Sequence, residues 1–178
     1  MASRPFNAAP HSKVRFVVSE IASKAQPVGQ CSEPSEELAR LIERVSLIEI
    51  RCSSCFARVL EGIQLTGTPE VDADFEVLTA VRLPLNTTEL HTRITAKVTG
   101  RSSVGKGIDQ GAVPLLQAEA VYDLKYAVRE GGAFTKDVAL DFADKNAVHN
   151  AWPFLREALY SATHRLGVVP VTLPLMRI

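Results

Sequence analysis

The stretch from Leu116 to Val128 constrains the fold more than any other part of this chain. Leu116, Ala118, Ala120, Tyr122, Leu124, Tyr126 and Val128 alternate with mostly polar neighbours, among them Gln117, Glu119, Asp123 and Lys125. A period of two sends successive side chains to opposite sides of a strand. One apolar side and one wet side mean a sheet buried on a single face, which is the habit of antiparallel sheets. The same signal recurs upstream, where Leu90, Ile94, Ala96 and Val98 oppose His91, Arg93, Thr95 and Lys97. Two further strands are predicted. One runs near 48–60, and the other near 75–83, with Phe75, Val77, Val81 and Leu83 on one side and Pro84 and Asn86 ending it.

The strand near 48–60 has a parity conflict. Ile48, Ile50 and Cys52 share one side, whereas Cys55, Ala57 and Val59 have the other parity. A bulge at Ser53–Ser54 brings both sets inward, because one extra residue flips the alternation. The link between this strand and the next carries Ile63, Leu65 and Val71 among Gly62, Gly67 and Pro69. Before the strands, Ser35 is a candidate cap for a short helix with Leu38, Leu41, Ile42 and Val45 at helical spacing.

Beyond Gly131–Gly132 the period changes. A short segment starts with Val138, Leu140 and Phe142, and the helix proper is predicted over about 145–166. Its inward stripe is Val148, Trp152, Leu155, Leu159, Ala162 and Leu166. Pro153 inside that pattern either opens a new helix at its first position or kinks one long helix. Gly167 is placed to end the helix in a left-handed conformation, and Pro170 prevents restart. Strands first and a long helix last is an α+β order. The predicted architecture is a four-stranded antiparallel sheet followed by a long C-terminal helix packed on one face, spanning 36–178. Residues 1–35, interrupted by Pro5, Pro10, Pro27 and Pro34, read as a weakly ordered N-terminal arm. The alternation of Val14, Phe16 and Val18 offers a second reading, a short strand that docks on the domain or on a partner.

Composition narrows the function. Twenty basic residues balance twenty acidic ones, which argues against a broad basic surface for nucleic acid. No run of about eighteen apolar residues predicts a membrane span. Three cysteines with no secretory leader in the opening residues point to a reducing, cytoplasmic compartment. The segment Gly100-Arg-Ser-Ser-Val-Gly-Lys-Gly107 mimics a phosphate loop, but Gly107 stands where a hydroxyl is needed and no helix follows, so it reads as a hairpin loop. Cys52-Ser-Ser-Cys55 lies in a strand, away from the helix N-terminus a redox pair uses, and lacks partners for zinc; half-buried strand thiols are expected. His11, His91, His149 and His164 have no ligand spacing, and no nucleophile elbow is present. These readings predict a binding protein without catalytic residues, cofactor or metal.

The order Asn150-Ala-Trp-Pro-Phe-Leu-Arg-Glu157, then Leu159, Gly167, Pro170 and Thr172-Leu-Pro174, behind four strands, resembles the SecB family of protein-export chaperones. Trp152, Pro153, Phe154, Arg156 and Glu157 match the family's aromatic-Pro-aromatic-x-Arg-Glu motif, and the resemblance covers about 36–178. It implies an ATP-independent holdase, assembled as a homotetramer (a dimer of dimers) joined largely through the long helix, with Leu155 and Leu159 beside the motif at the interface. It implies partners that are unfolded or nascent polypeptides, with handover to SecA. In some relatives the partner is instead one aggregation-prone antitoxin. Client-contact candidates are Ile63, Leu65, Val71, Phe75 and Leu78, with Val169, Leu173, Leu175 and Met176 in the apolar tail; the competing reading for each is cover for the domain core or for a subunit interface.

Overall fold

The computed structural model describes residues 13–18, 35–60, 71–82, 85, 88–102, 114–129, 133–168 and 170–176. Its centre is an antiparallel sheet in the order β1-β3-β4-β5-β2, formed by Lys13–Val18 (β1), Val45–Val59 (β2), Val71–Val81 (β3), Glu89–Ser102 (β4) and Pro114–Val128 (β5). The four expected strands are all present. The fifth, β1, pairs with β3 from Lys13 opposite Leu78 to Val18 opposite Ala73. Those six residues therefore adopt the docked-strand alternative, and the sheet has one more strand than expected. Strand β3 also begins earlier than predicted, so Val71 belongs to the sheet.

Alternation in sequence becomes two faces in space. Phe75, Val77, Leu90, Ile94, Ala96, Val98, Leu116, Ala118, Ala120, Leu124 and Tyr126 line the core face and are almost fully buried. The predicted bulge in β2 is there. Cys52 lies opposite Tyr122 and Ser54 opposite Val121, so the register slips at Ser53. A second slip between Leu47 and Glu49 was not foreseen. It leaves Ile48 as the bulged residue, 56% exposed, rather than on the inner face. Only Ile50, Ala57 and Val59, with Val45, pack partly against the core from this strand.

The helical layer crosses the core face. Helix α1 (Glu36–Arg44) opens at Ser35, whose hydroxyl accepts from the Leu38 amide at 3.2 Å, with Glu36 and Glu37 in its first turn. Val45, read as part of its apolar stripe, is instead already extended and starts β2. The end of α1 is stitched to the end of β5: the Arg129 amide donates to Arg44 O at 2.8 Å, and the Arg44 guanidinium donates to Arg129 O.

The C-terminal helical run starts nine residues before the predicted 145. Thr135 caps α2 (Lys136–Phe142), accepting from the Val138 amide at 3.3 Å. A π-helical turn, Ala143–Ala147, joins it to α3 (Val148–His164) without a break. Ala139, Ala143, Ala147, Ala151, Leu155, Leu159 and Thr163 recur every four residues straight through this turn, so one row faces the sheet along the whole run. All seven are buried. The run crosses the sheet from β3, under α2, to β5 and β2, under α3. Tyr126 meets Phe142 edge-on at 5.0 Å between ring centres, and its hydroxyl accepts from Asn150 Nδ2 at 3.1 Å. Pro153 sits inside α3 rather than at its start, on the exposed side. Gly167 closes the helix at φ +72°, as expected for a left-handed cap.

Candidate functional site

The sequence-derived candidates separate into distinct environments. Ile63, Leu65 and Val169 lie outside the described residues, and Val71 is described only by its backbone pairing with Ser102. Phe75 and Leu173 are 3% and 1% exposed. They act as core cover, not as surface open to a client. Leu78 pairs with Thr95 on the polar side of the sheet and is half-buried. In the tail, Val168, Val171 and Leu173 pack inward and Met176 partly so, leaving Leu175 exposed at 76%.

Two hydrogen bonds hold the tail against α3. Trp152 Nε1 donates to Pro174 O at 2.9 Å, and the Val171 amide donates to Thr163 Oγ1 at 3.0 Å. Thr163 lies near the end of α3 and Trp152 near its start, so the tail doubles back antiparallel to the helix. Trp152, the first residue of the motif, is thus a tail anchor. Leu155 and Leu159 are core residues with no exposure. Pro153 and Phe154 face outward, and exposed Glu157 accepts from Ser161 Oγ at 2.7 Å. Arg156 is half-buried, and its Nε has no hydrogen-bond partner among the described residues.

Sequence reasoning predicted strand β2 but missed the surface it exposes at the sheet edge. β2 is a terminal strand of the sheet, fifteen residues long, with β5 on one side only. Leu47, Ile48 and Phe56 are 44–56% exposed along it. Helix α3 packs beside β2, and its outer surface carries Phe154 and Tyr160, each more than 40% exposed. Phe154 reaches back to Tyr122 at 6.1 Å between ring centres, and Tyr160 stacks on His164. Of the large apolar side chains exposed among the described residues, all but Leu175 lie on these two adjacent elements. Phe56 lies opposite Glu119 and so faces the charged side of the sheet, while Leu47, opposite Tyr126, is on the side that α3 covers. Lone exposed apolar residues are ordinary, but several on neighbouring elements mark contact surface. An unpaired strand edge adds backbone donors and acceptors to it.

The opposite sheet face is electrically neutralised. Arg93 grips Asp123 through Nε and Nη2 at 2.7 and 3.0 Å, and Ser53 Oγ also donates to this carboxylate. Lys125 and His91 both meet Glu89, Lys97 approaches Glu119 at 3.8 Å, and Arg101 pairs with Asp74. Burial alone would raise the Asp123 carboxyl, but hydrogen bonds from Arg93 and Ser53 and the charges of Arg93 and Arg51 outweigh it and hold it below its ordinary value. The result is a ladder of paired charges, neither an acidic nor a basic patch. No helix among the described residues is long and apolar enough to cross a membrane. The arrangement offers a strand edge, apolar side chains and a paired-charge face, which is chemistry for holding polypeptide.

No family model and no curated protein matches the sequence. Among solved structures, the chain is similar to the Mycobacterium tuberculosis SecB-like chaperone Rv1957, determined in complex with a ChAD peptide from the HigA1 antitoxin Rv1956. The TM-score is 0.66 at 19% identity, over 81% of this chain and 99% of that one. The fold is SecB-like.

Proposed function

We propose that this protein is a nucleotide-independent chaperone that holds non-native polypeptide, and that it works as a homo-oligomer, a dimer of dimers. One observation carries the reading: on a SecB-like fold, large apolar side chains that the core does not use gather on β2 and the outer surface of α3. A second copy covering the edge of β2 and α3 buries Leu47, Ile48, Phe154 and Tyr160 and can supply an acceptor for Arg156 Nε. Client then meets Ile63 and Leu65 between β2 and β3, Val71 at the start of β3, and the tail at Leu175 and Met176. The setting is cytoplasmic, and SecA is the export partner in this reading.

The test is native mass spectrometry with and without a chemically unfolded client, alongside light scattering of that client in the absence of nucleotide. Tetramer plus bound client, with scattering suppressed, supports the proposal. A stable monomer that leaves aggregation unchanged defeats it.

A second reading is a chaperone dedicated to one partner such as an antitoxin. The similar M. tuberculosis chaperone is bound to an antitoxin peptide, and the paired charges of the sheet face lack the acidic character that SecA docking uses in the SecB family. Narrow capture in pull-downs without SecA binding favours it over the export role.

A further inference from the structure

We propose that the β3 edge of the sheet is a strand-addition site for polypeptide, which residues 13–18 of the chain occupy until an extended client segment displaces them. The inference deepens the holdase reading and rests on it. β1 lies at the end of the sheet opposite β2 and pairs with β3. It is fastened through that strand, whereas the helical layer packs on the other four. Main-chain hydrogen bonds along a strand edge give a bound peptide its affinity, and the residues at alternate positions give it specificity.

The register states what such a segment must carry. On the wet parity, Arg15 of β1 stands opposite Glu76, Glu76 opposite Lys97, and Lys97 opposite Glu119. This row alternates in sign from strand to strand, and its outermost cation comes from β1. On the other parity, Phe16 stands opposite Phe75, Phe75 opposite Val98, and Val98 opposite Ala118. Val14 extends the row of Val77, Ala96 and Ala120 in the same way. Opposite charges and apolar pairs directly across from each other stabilise a ladder. The edge therefore selects an extended segment with apolar residues at alternate positions and a basic residue between them.

β1 also leaves part of this edge uncovered. β3 runs from Val71 to Val81, but its register with β1 spans only Ala73 to Leu78. Asp72 and the client-contact candidate Val71 lie just past Val18 on the same edge, so an incoming strand can start there and replace β1 pair by pair. β1 stays tethered to α1 through residues 19–34, and a tethered ligand meets its site at roughly millimolar effective concentration. It therefore excludes weak binders and yields to a segment that pairs over more of the edge. A strand docked about nine-tenths of the time leaves roughly one site in ten open, so releasing it tightens binding about tenfold.

Two variants of the full-length chain test this, with fluorescence anisotropy of a labelled peptide copying residues 12–19 as the readout. Arg15→Pro with Phe16→Pro opens the edge: amides of adjacent strand residues point to opposite sides, so one of the two prolines removes a donor to β3. Arg15→Cys with Glu76→Cys locks it, because paired Cα atoms lie about 4.5–5.5 Å apart, inside the ~4.4–6.8 Å span of disulfides. Cys31→Ser, Cys52→Ser and Cys55→Ser accompany the lock, since Cys52 and Cys55 are exposed, not half-buried as the sequence predicts, and compete for the crosslink. The opened chain is expected to bind the peptide about tenfold more tightly than the parent. The oxidised lock binds none, and dithiothreitol restores binding. A peptide with glutamate at the Arg15 position binds about fivefold more weakly. Equal affinity in the parent, opened and locked chains overturns the proposal, and so does a cysteine pair that does not crosslink. If the prolines unfold the chain, the oxidised and reduced lock still decide. An unfolded client held equally by both states of the lock also overturns it and leaves the holdase reading standing. Lock-dependent peptide binding with client aggregation unchanged by every chain supports the edge site and defeats the holdase reading.

Discussion

Leu173→Ala separates the two roles open to the tail. Leu173 is 1% exposed, so its side chain is core. Truncation to alanine removes three carbons, worth about 2.4 kcal/mol at ~0.8 kcal/mol per methylene. The cavity left behind adds to this, and buried Leu→Ala changes span about 2–5 kcal/mol. A cost near 3 kcal/mol lowers Tm by about 6–12 °C in a chain of this size. Leu175→Ala, on a side chain 76% exposed, stays within about 0.5 kcal/mol of the parent. Urea and thermal unfolding followed by circular dichroism, at one protein concentration because association shifts apparent stability, measures both. Client binding, assayed well below the Tm of the weaker variant, falls for Leu175→Ala and is retained for Leu173→Ala. A Tm loss under about 2 °C for Leu173→Ala, together with lost client binding, refutes the assignment of Leu173 to the core.

Three further outcomes follow from the same geometry. Trp152→Phe removes the donor to Pro174 O and costs about 1 kcal/mol; Trp152 is the chain's one tryptophan, so a red shift of parent fluorescence at sub-denaturing urea reports tail release before global unfolding. Gly167→Ala costs about 1–2 kcal/mol in denaturant titration, from its φ of +72° alone, since an added Cβ meets nothing within 4 Å. The Asp123 carboxyl is lower in the folded state than its ordinary 3.8, so its stabilisation is present above that value and disappears as pH falls through the depressed folded value. Asp123→Asn therefore weakens the protein at neutral pH and flattens the acid limb of a stability-versus-pH curve; an unchanged acid limb contradicts the pairing with Arg93.

The parts of the fold that were legible in sequence are those where one local signal had no competitor. β4 and β5 alternate cleanly because one face is packed and the other carries paired charges. Ser35 and Gly167 are chemically suited to a cap and a left-handed turn, and both hold those positions. The start of the last helix was illegible for a different reason. Val138, Leu140 and Phe142 alternate as a strand does, but the buried set is Val138, Ala139 and Phe142, a helical spacing opened by the Thr135 cap. Small Ala139 carries no strong hydrophobic signal of its own, so the segment was placed ahead of the helix and not within the helical run. The π-turn left no trace in sequence either, since the residues buried through it are the small Ala139, Ala143, Ala147 and Ala151.

The candidate surface was hidden by the same kind of local irregularity. A single bulge in β2 resolves the parity conflict around Ser53, and that one was readable because apolar residues of both parities demanded it. The slip at Ile48 left no such trace, since Ile48 and Ile50 already share a parity and an inward pair is the simpler pattern. Its consequence is what gives β2 a function beyond closing the sheet. A terminal strand exposing Leu47, Ile48 and Phe56 is an aggregation hazard unless something covers it, and the charges Glu49, Arg51 and Arg58 guard it only in part. The tail tells the reverse story: its apolar composition suggested a binding segment, yet Trp152 and Thr163 fasten it down and spend most of it on the core. Apolar composition therefore misassigns surface at both ends of the domain, and the hydrogen bonds that hold or release each backbone decide which residues remain for a second polypeptide.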